Sequence, residues 1–421
     1  MTQLEKMKEI EKIYDELKNS ALFNLSLASK ELFHSNFLYW MAQSDRTSFP
    51  SIISNLLGNT TLDWGNDWIV KREYKNFDLC VMRHGNGEEF LFVLENKVKS
   101  IPRLDQIIEY NKKLEKHETC KKLLLSLSDT FPDKEEIGKG GWYIKNYSDL
   151  ADSIDSIIQS HSNSNSNSNS NCNCYVKDYV NFIRNFHDLN SLWQETTLVD
   201  NAKFLLDYSA ENEDKALLSK DNVVNGSNPK DQLYEKAREL RIHDILGKTR
   251  FMAICQSLNT MGGITARTSF TNGTPILEVM TAADIYDQTN FIIQIQGKQY
   301  RHMIAVPVQE KDKEKQETEA LEEIKNIQWR LFMDPYGDKS NNAQDFKSYC
   351  SDKNEVLYNR FGMRAKYCKY APSKNSADKR FAIYRYRIIC KNATVSQIIE
   401  CIQNDISNNL YNFVNTSHLP N

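Results

Sequence analysis

Three polar residues on two neighbouring apolar runs carry the chemistry this chain offers. Asp78 stands at the head of Asp-Leu-Cys-Val, and after a polar turn containing glycine the run Phe-Leu-Phe-Val-Leu leads straight into Glu95-Asn96-Lys97. Side chains two apart on a strand share a face, so Glu95 and Lys97 point the same way if 90–98 is extended. A carboxylate on each of two adjacent strands suits a hard divalent cation, because Mg²⁺ takes one or two carboxylates and keeps several waters. A lysine on that face can hold or deprotonate a water, or neutralise charge developing on a scissile phosphate. The bland alternative is that the charges only face solvent, or that the carboxylates form a structural salt bridge with Lys97. Context weighs toward a site: a charged pair directly after five apolar residues is unfavourable unless it is paired or bound to metal. Gln106 and Tyr110, four apart on one face of the next helix, supply hydrogen-bonding groups to the same region.

These residues need a scaffold, and hydrophobic periodicity provides one. Helices are expected over 5–17 and 29–41, a strand over 69–82, a turn over 84–89 and a buried strand over 90–98. Pro102 suits a helix start, opening a helix to about residue 114. Strands follow at 122–127 and 142–145, then a helix over 148–158 with Ser148 as its N-cap. The Ser/Asn alternation from His161 to Cys174 has nothing to bury and reads as a linker or an expanded loop. Beyond it, 175–193 is helical, and 231–258 is helical with an interruption at Gly247. Strands are expected at 276–280, 291–296, 300–306 and 381–390, helices at 309–327 and 341–357, and a closing helix at 395–411.

With the elements in place, Phe77-Asp78, Glu95-Asn96-Lys97 and Gln106-x-x-x-Tyr110 together resemble the PD-(D/E)XK nuclease superfamily, Phe77 standing where proline is usual. The segment Lys30-Glu31-Leu-Phe-His34-Ser35-Asn-Phe-Leu-Tyr-Trp40 is similar to the helix preceding the core in one uncharacterised bacterial branch. Leu-Leu-Leu-Ser-Leu-Ser at 123–128 and Trp142-Tyr143-Ile144-Lys145 resemble later elements of that branch. The likeness covers about residues 20–160, and touches Leu240-Arg241-Ile242-His243-Asp244 and Gln294 to His302 without an assigned role.

The resemblance implies a restriction-endonuclease-like α/β (α+β) core: a mixed sheet flanked by helices. It implies that Glu31, Asp78, Glu95 and the Asn96 carbonyl ligate or approach Mg²⁺ or Mn²⁺, that Lys97 acts on the water or phosphate, and that Gln106 supports the site. Glu31 also has a simpler reading as a carboxylate favoured by the dipole of its helix's first turn. His34 and Tyr110 are candidate contacts to substrate; each is also a plausible packing residue. The implied substrate is DNA, with RNA left open, and the implied setting is bacterial defence or repair. Because enzymes that cut both strands often pair two sites by symmetry, a homodimer is one expectation. The alternative is an inactive nuclease-fold module that binds nucleic acid or serves as a scaffold.

Composition bounds the rest. At 421 residues the chain exceeds the size of a single core, and 40% hydrophobic and 11% aromatic residues are ample for more than one. The expected division is a nuclease-like core over 1–160, a linker over 161–174, a helical connector over 175–260 and an α+β accessory domain over 261–421. A net charge of −3 gives no global attraction to nucleic acid, so binding must come from local patches. One such patch runs from Arg360 to Lys391, where ten basic residues meet a single acid, Asp378, interleaved with aromatics. Arg364, Lys366, Lys369, Arg385 and Arg387 are its candidate phosphate contacts, against the alternative of ordinary edge-protecting charges. The first twenty residues lack the apolar stretch of a secretory leader, and no run approaches a membrane span. With scattered cysteines as well, a reduced cytoplasmic compartment is expected. The Cys and His spacing suits no zinc site, and Gly138-Lys139-Gly140-Gly141 lacks the ending of a phosphate loop.

Overall fold

The computed structural model describes residues 2–27, 30–85, 89–162, 170–199, 202–205, 232–261, 264–271, 274–281, 290–307, 357–368, 380–390 and 393–406. They form two compact units, Met1–Glu195 with Lys236–Thr249, and Thr196–Glu235 with Arg250–Asn421.

The first unit is built on a five-stranded mixed sheet of order β1-β2-β3-β4-β5: Trp68–Tyr74, Phe77–Arg83, Phe90–Lys97, Lys121–Ser126 and Trp142–Asn146. The first three strands run antiparallel and the last three parallel. β3 is central and all eight of its residues are buried, as a nearly continuous apolar run demands when both faces are covered. Helices α1 (Gln3–Asn19), α2 (Ala21–Ser26), α3 (Lys30–Ser44) and α4 (Ser48–Leu56) precede the sheet. Helices α5 (Leu104–Leu114), α6 (Lys134–Lys139), α7 (Tyr147–Ser162) and α8 (Ser170–Thr197) follow β3. This is a restriction-endonuclease-like arrangement.

Several local expectations change. The single strand expected over 69–82 is a hairpin, β1 and β2, closed by Lys75 and Asn76 at φ 53° and 71°. Two successive positive φ values match the right-handed twist of the strands, and asparagine tolerates that region. Helix α7 starts one residue before Ser148, and its cap is Asn146. The Asn146 Oδ1 accepts the Asp149 amide at 2.7 Å, and the Asp149 carboxylate accepts the Asn146 amide at 3.0 Å. Helices α2, α4 and α6 were not expected. The helix over 175–193 belongs to α8, which packs within the first unit: Tyr179 stacks on Phe37 with ring centroids 3.9 Å apart, and Asn190 donates to the Leu127 carbonyl. The compact unit thus runs to Glu195, beyond the Ser/Asn tract, because α8 buries its apolar stripe on α3.

The helix expected over 231–258 is two, α9 (Gln232–Glu239) and α10 (His243–Asn259). The break falls at Arg241, φ 54°, where the Ile242 amide returns to the Ala237 carbonyl, and Gly247 lies inside α10. In the second unit, strands β6 (Ile264–Thr271), β7 (Thr274–Thr281), β8 (Asn290–Gln296), β9 (Gln299–Pro307), β10 (Leu357–Cys368) and β11 (Arg380–Ile389) form an antiparallel sheet ordered β10-β11-β9-β8-β7-β6. Its core joins Leu277, Val279, Ile293, Ile295 and Tyr300 to Ile254 and Leu258 of α10 and to Ile398 and Ile402 of α11 (Val395–Asp405). The helices expected at 309–327 and 341–357 lie outside the described residues, except for Leu357, which opens β10.

Candidate active site

The β2–β3 register pairs Leu79 with Leu94, which sets Asp78 opposite Glu95 on one face. Lys97 lies two residues on, and its Nζ is 2.7 Å from Glu95 Oε1. Glu95 is 3% exposed and Lys97 8%, so the pair is enclosed. From α5, Gln106 Nε2 donates to the same Oε1 at 2.7 Å and to the Tyr110 hydroxyl at 2.7 Å. Tyr110 in turn donates to the Asn76 carbonyl at 2.6 Å, tying α5 to the β1–β2 turn.

Glu95 Oε2, in contrast, is buried with no hydrogen-bond partner among the described residues. A carboxylate oxygen left this way is costly unless a cation or water meets it. Asp78 Oδ2 accepts the Asn96 amide at 2.6 Å. Burial, and next the charge of Glu95, raise the Asp78 pKa to about 7, against the Asn96 amide and Lys97. Burial likewise raises Glu95, opposed chiefly by Lys97. A buried carboxylate with a bare oxygen, beside a half-buried one whose pKa its charge helps to raise, fits a divalent cation. Among the described residues, no three His, Cys, Asp or Glu groups converge into an all-protein metal cage.

Glu31, in the first turn of α3, is placed at the turn that follows β3. Its Oε1 accepts the amides of Val98, Lys99 and Ser100 at 3.2, 3.1 and 2.8 Å, and the Ser100 hydroxyl at 2.6 Å. Its charge still reaches Asp78, whose pKa it helps to raise. The Asn96 side chain takes the other face of β3, where its Nδ2 donates to Ser35 Oγ at 2.6 Å. Ser35 and Ser100 were not anticipated; Ser100 was legible as the hydroxyl three residues after Lys97.

His34 is corrected from a substrate contact to a core residue. It is 1% exposed, its Nδ1 lies 3.0 Å from the Tyr179 hydroxyl, and it is packed among Phe33, Tyr147 and Phe182. Burial lowers its pKa to about 3, so it is neutral. Tyr110 is also buried, and it serves the rear of the site through Gln106. In the second unit, Arg364 and Lys366 occupy β10 positions paired with Tyr384 and Ala382, whereas Arg385 and Arg387 pair with Met363 and Phe361. Strand alternation therefore assigns these two pairs of positions to opposite faces. Lys369 lies outside the described residues.

Residues 21–181 match the family model described as PD-(D/E)XK nuclease superfamily. The segment contains Glu31, Asp78, Glu95, Lys97 and Gln106, and it spans the mixed five-stranded sheet whose arrangement is restriction-endonuclease-like. No curated protein and no solved structure matches the chain. Among the described residues, no helix is long and apolar enough to cross a membrane.

Proposed function

We propose that the first unit is a metal-dependent nuclease that hydrolyses phosphodiester bonds, with DNA as its substrate. The observation that carries this reading is the bare, buried Glu95 Oε2 beside Asp78, with Oε1 of the same carboxylate held by Lys97 and Gln106. Asp78 and Glu95 would hold Mg²⁺ or Mn²⁺, supported by the Asn96 main-chain carbonyl and the charge of Glu31. A bound ion supplies Lewis acidity to a phosphate and lowers the pKa of a water.

The chain's own residues do the rest. Gln106 and Lys97 fix one oxygen of Glu95, which orients the other. Lys97 carries a positive charge into an enclosed site, where it offsets charge developing on a phosphate far more than it would in water. Glu31 gathers three consecutive amides and so sets the turn directly after Lys97. The second unit is read as the recognition domain, for nucleic acid or a partner, because of the basic and aromatic run from Arg360 to Lys391. A role in bacterial defence or repair follows from the branch resemblance.

The test is cleavage of supercoiled plasmid, single-stranded DNA and RNA by the full chain with Mg²⁺, Mn²⁺ or EDTA. Cutting of DNA that needs the metal, and that folded Asp78→Ala and Lys97→Ala variants lose, is the expected result. Tight DNA binding by a wild type that cuts nothing with either metal would overturn it in favour of a binding module.

A further inference from the structure

Lys248 is the one lysine of α10 driven fully inward, at 1% exposure, on a stretch whose other buried residues include Ile245, Leu246 and Met252. Its ammonium reaches chain 150 residues earlier, donating to the Val98 carbonyl at 2.8 Å and to the Ser100 carbonyl at 3.2 Å. One turn before it on α10, Asp244 pairs with the Lys99 ammonium at 2.7 Å. All these residues belong to the first unit.

The turn 98–100 is thereby gripped by opposite charges on opposite kinds of backbone group. Glu31 takes the three N–H groups, and Lys248 takes two of the carbonyls. The Lys248 charge alone in this interior would be strongly disfavoured, and the Glu31 carboxylate relieves it across the peptide units between them. Burial lowers the Lys248 pKa to about 8, while the charges of Glu31 and Asp244 oppose that fall. A turn that only needed two donors would be served by a neutral side chain or water. The stretch being held begins one residue after Lys97, whose own carbonyl is already fixed by the Leu127 amide at 2.9 Å.

We propose that Lys248 is a positioning residue of the catalytic centre: with Glu31 it clamps turn 98–100 from both sides and so fixes where Lys97 stands against Glu95. The proposal rests on the nuclease reading for its kinetic consequence, though not for its structural one. Lys248 does not touch substrate or the reacting atoms. It acts through the backbone, and its loss therefore loosens Lys97 without removing it.

The experiment compares full-length wild type, Lys248→Met, Lys248→Arg and Glu31→Gln by amide hydrogen exchange, by competitive acetylation of Lys97 read by mass spectrometry, and by cleavage kinetics with Mn²⁺. In Lys248→Met, exchange across 97–101 and acetylation of Lys97 are each expected to rise about tenfold or more, with β4 and α8 unchanged. The kcat is expected to fall by roughly 10–100-fold at unchanged KM, the scale of a misplaced catalytic group, and Lys248→Arg to recover part of it. Unchanged exchange and unchanged Lys97 reactivity in a folded Lys248→Met would overturn the proposal, as would a rise in KM with kcat intact. If Lys248→Met does not fold, Glu31→Gln removes the opposite jaw. The same local rise then supports the clamp, and its absence overturns it. If the wild type cuts nothing, the nuclease reading fails, while exchange and acetylation still decide whether the clamp exists.

Discussion

Replacing Asp78 by Asn should stabilise the metal-free protein while abolishing cleavage, because folding buries this carboxylate beside a second one. The Asp78 pKa is raised from 3.8 to about 7, chiefly by burial and then by Glu95. A carboxyl whose folded pKa lies above its unfolded one binds its proton more tightly when folded. Through this group stability is therefore greatest below about pH 4 and is lost as pH rises toward 7. A shift of about three units sets a ceiling of roughly 4 kcal/mol for that loss. Asparagine keeps an acceptor for the Asn96 amide but not the charge-assisted part of the bond, and Lys97 loses one attractive neighbour. A net gain of about 1–3 kcal/mol at pH 8 remains after those losses. For a unit of this size it raises the melting temperature by roughly 3–9 °C. Calorimetry in EDTA at pH 8 and pH 5 reads it directly, with the advantage of the Asp78→Asn variant shrinking at pH 5, where native Asp78 is protonated. Added Mn²⁺ should then stabilise the wild type and leave Asp78→Asn nearly unmoved. An Asp78→Asn variant that is less stable than wild type at pH 8, by an amount that does not change with pH, would refute the reasoning.

Gln106→Ala frees Glu95 Oε1 from one of its two anchors, so kcat should fall about 10–100-fold and Mn²⁺ affinity should weaken, both measurable by titration and single-turnover cleavage. His187 sits against Asp129 at 3.2 Å and Asp188 at 3.4 Å; burial works to lower its pKa, but the two carboxylates prevail and raise it to about 9. Its contribution is fully present below about pH 6.5 and is lost as pH rises through 9. Urea unfolding of His187→Gln should show about 1–2 kcal/mol lost at pH 6 and almost none at pH 10, a figure reduced for the partly exposed carboxylates. Asn76→Val should cost about 1–2 kcal/mol, since φ is 71° there, measured by the same denaturant series. His34→Phe should cost roughly 1–3 kcal/mol by leaving the Tyr179 hydroxyl unpaired, with the DNA affinity of the folded protein unchanged in a binding titration.

The centre of the fold was legible because its physics is local. An eight-residue buried strand needs a continuous apolar run, and two charges at its end stand out against that run, so β3, Glu95 and Lys97 could be read directly. Gln106 was legible for a related reason, lying on the first turns of a helix that must return over the strand. The hairpin at Lys75-Asn76 was not, since lysine gives no sign of a positive φ and the apolar pattern continues through it. The fate of His34 turned on Tyr147 and Tyr179, more than a hundred residues away, and its own neighbours said only that it lay on an apolar helix. Lys248 had a local sign, a lysine within a buried stripe, but its meaning depended on carbonyls 150 residues earlier.

That separation has a consequence for the order in which the protein is made. A ribosome that has released residues 1–195 has produced the whole stretch matching the superfamily, with Asp78, Glu95, Lys97 and Gln106 all in place. The jaw that holds the turn after Lys97 emerges only with α10, about fifty residues later in the chain. A nascent or prematurely terminated chain would carry the motif without the Lys248 contacts to the turn after Lys97, and on the proposed nuclease reading it would reach full activity only once translated past Thr249.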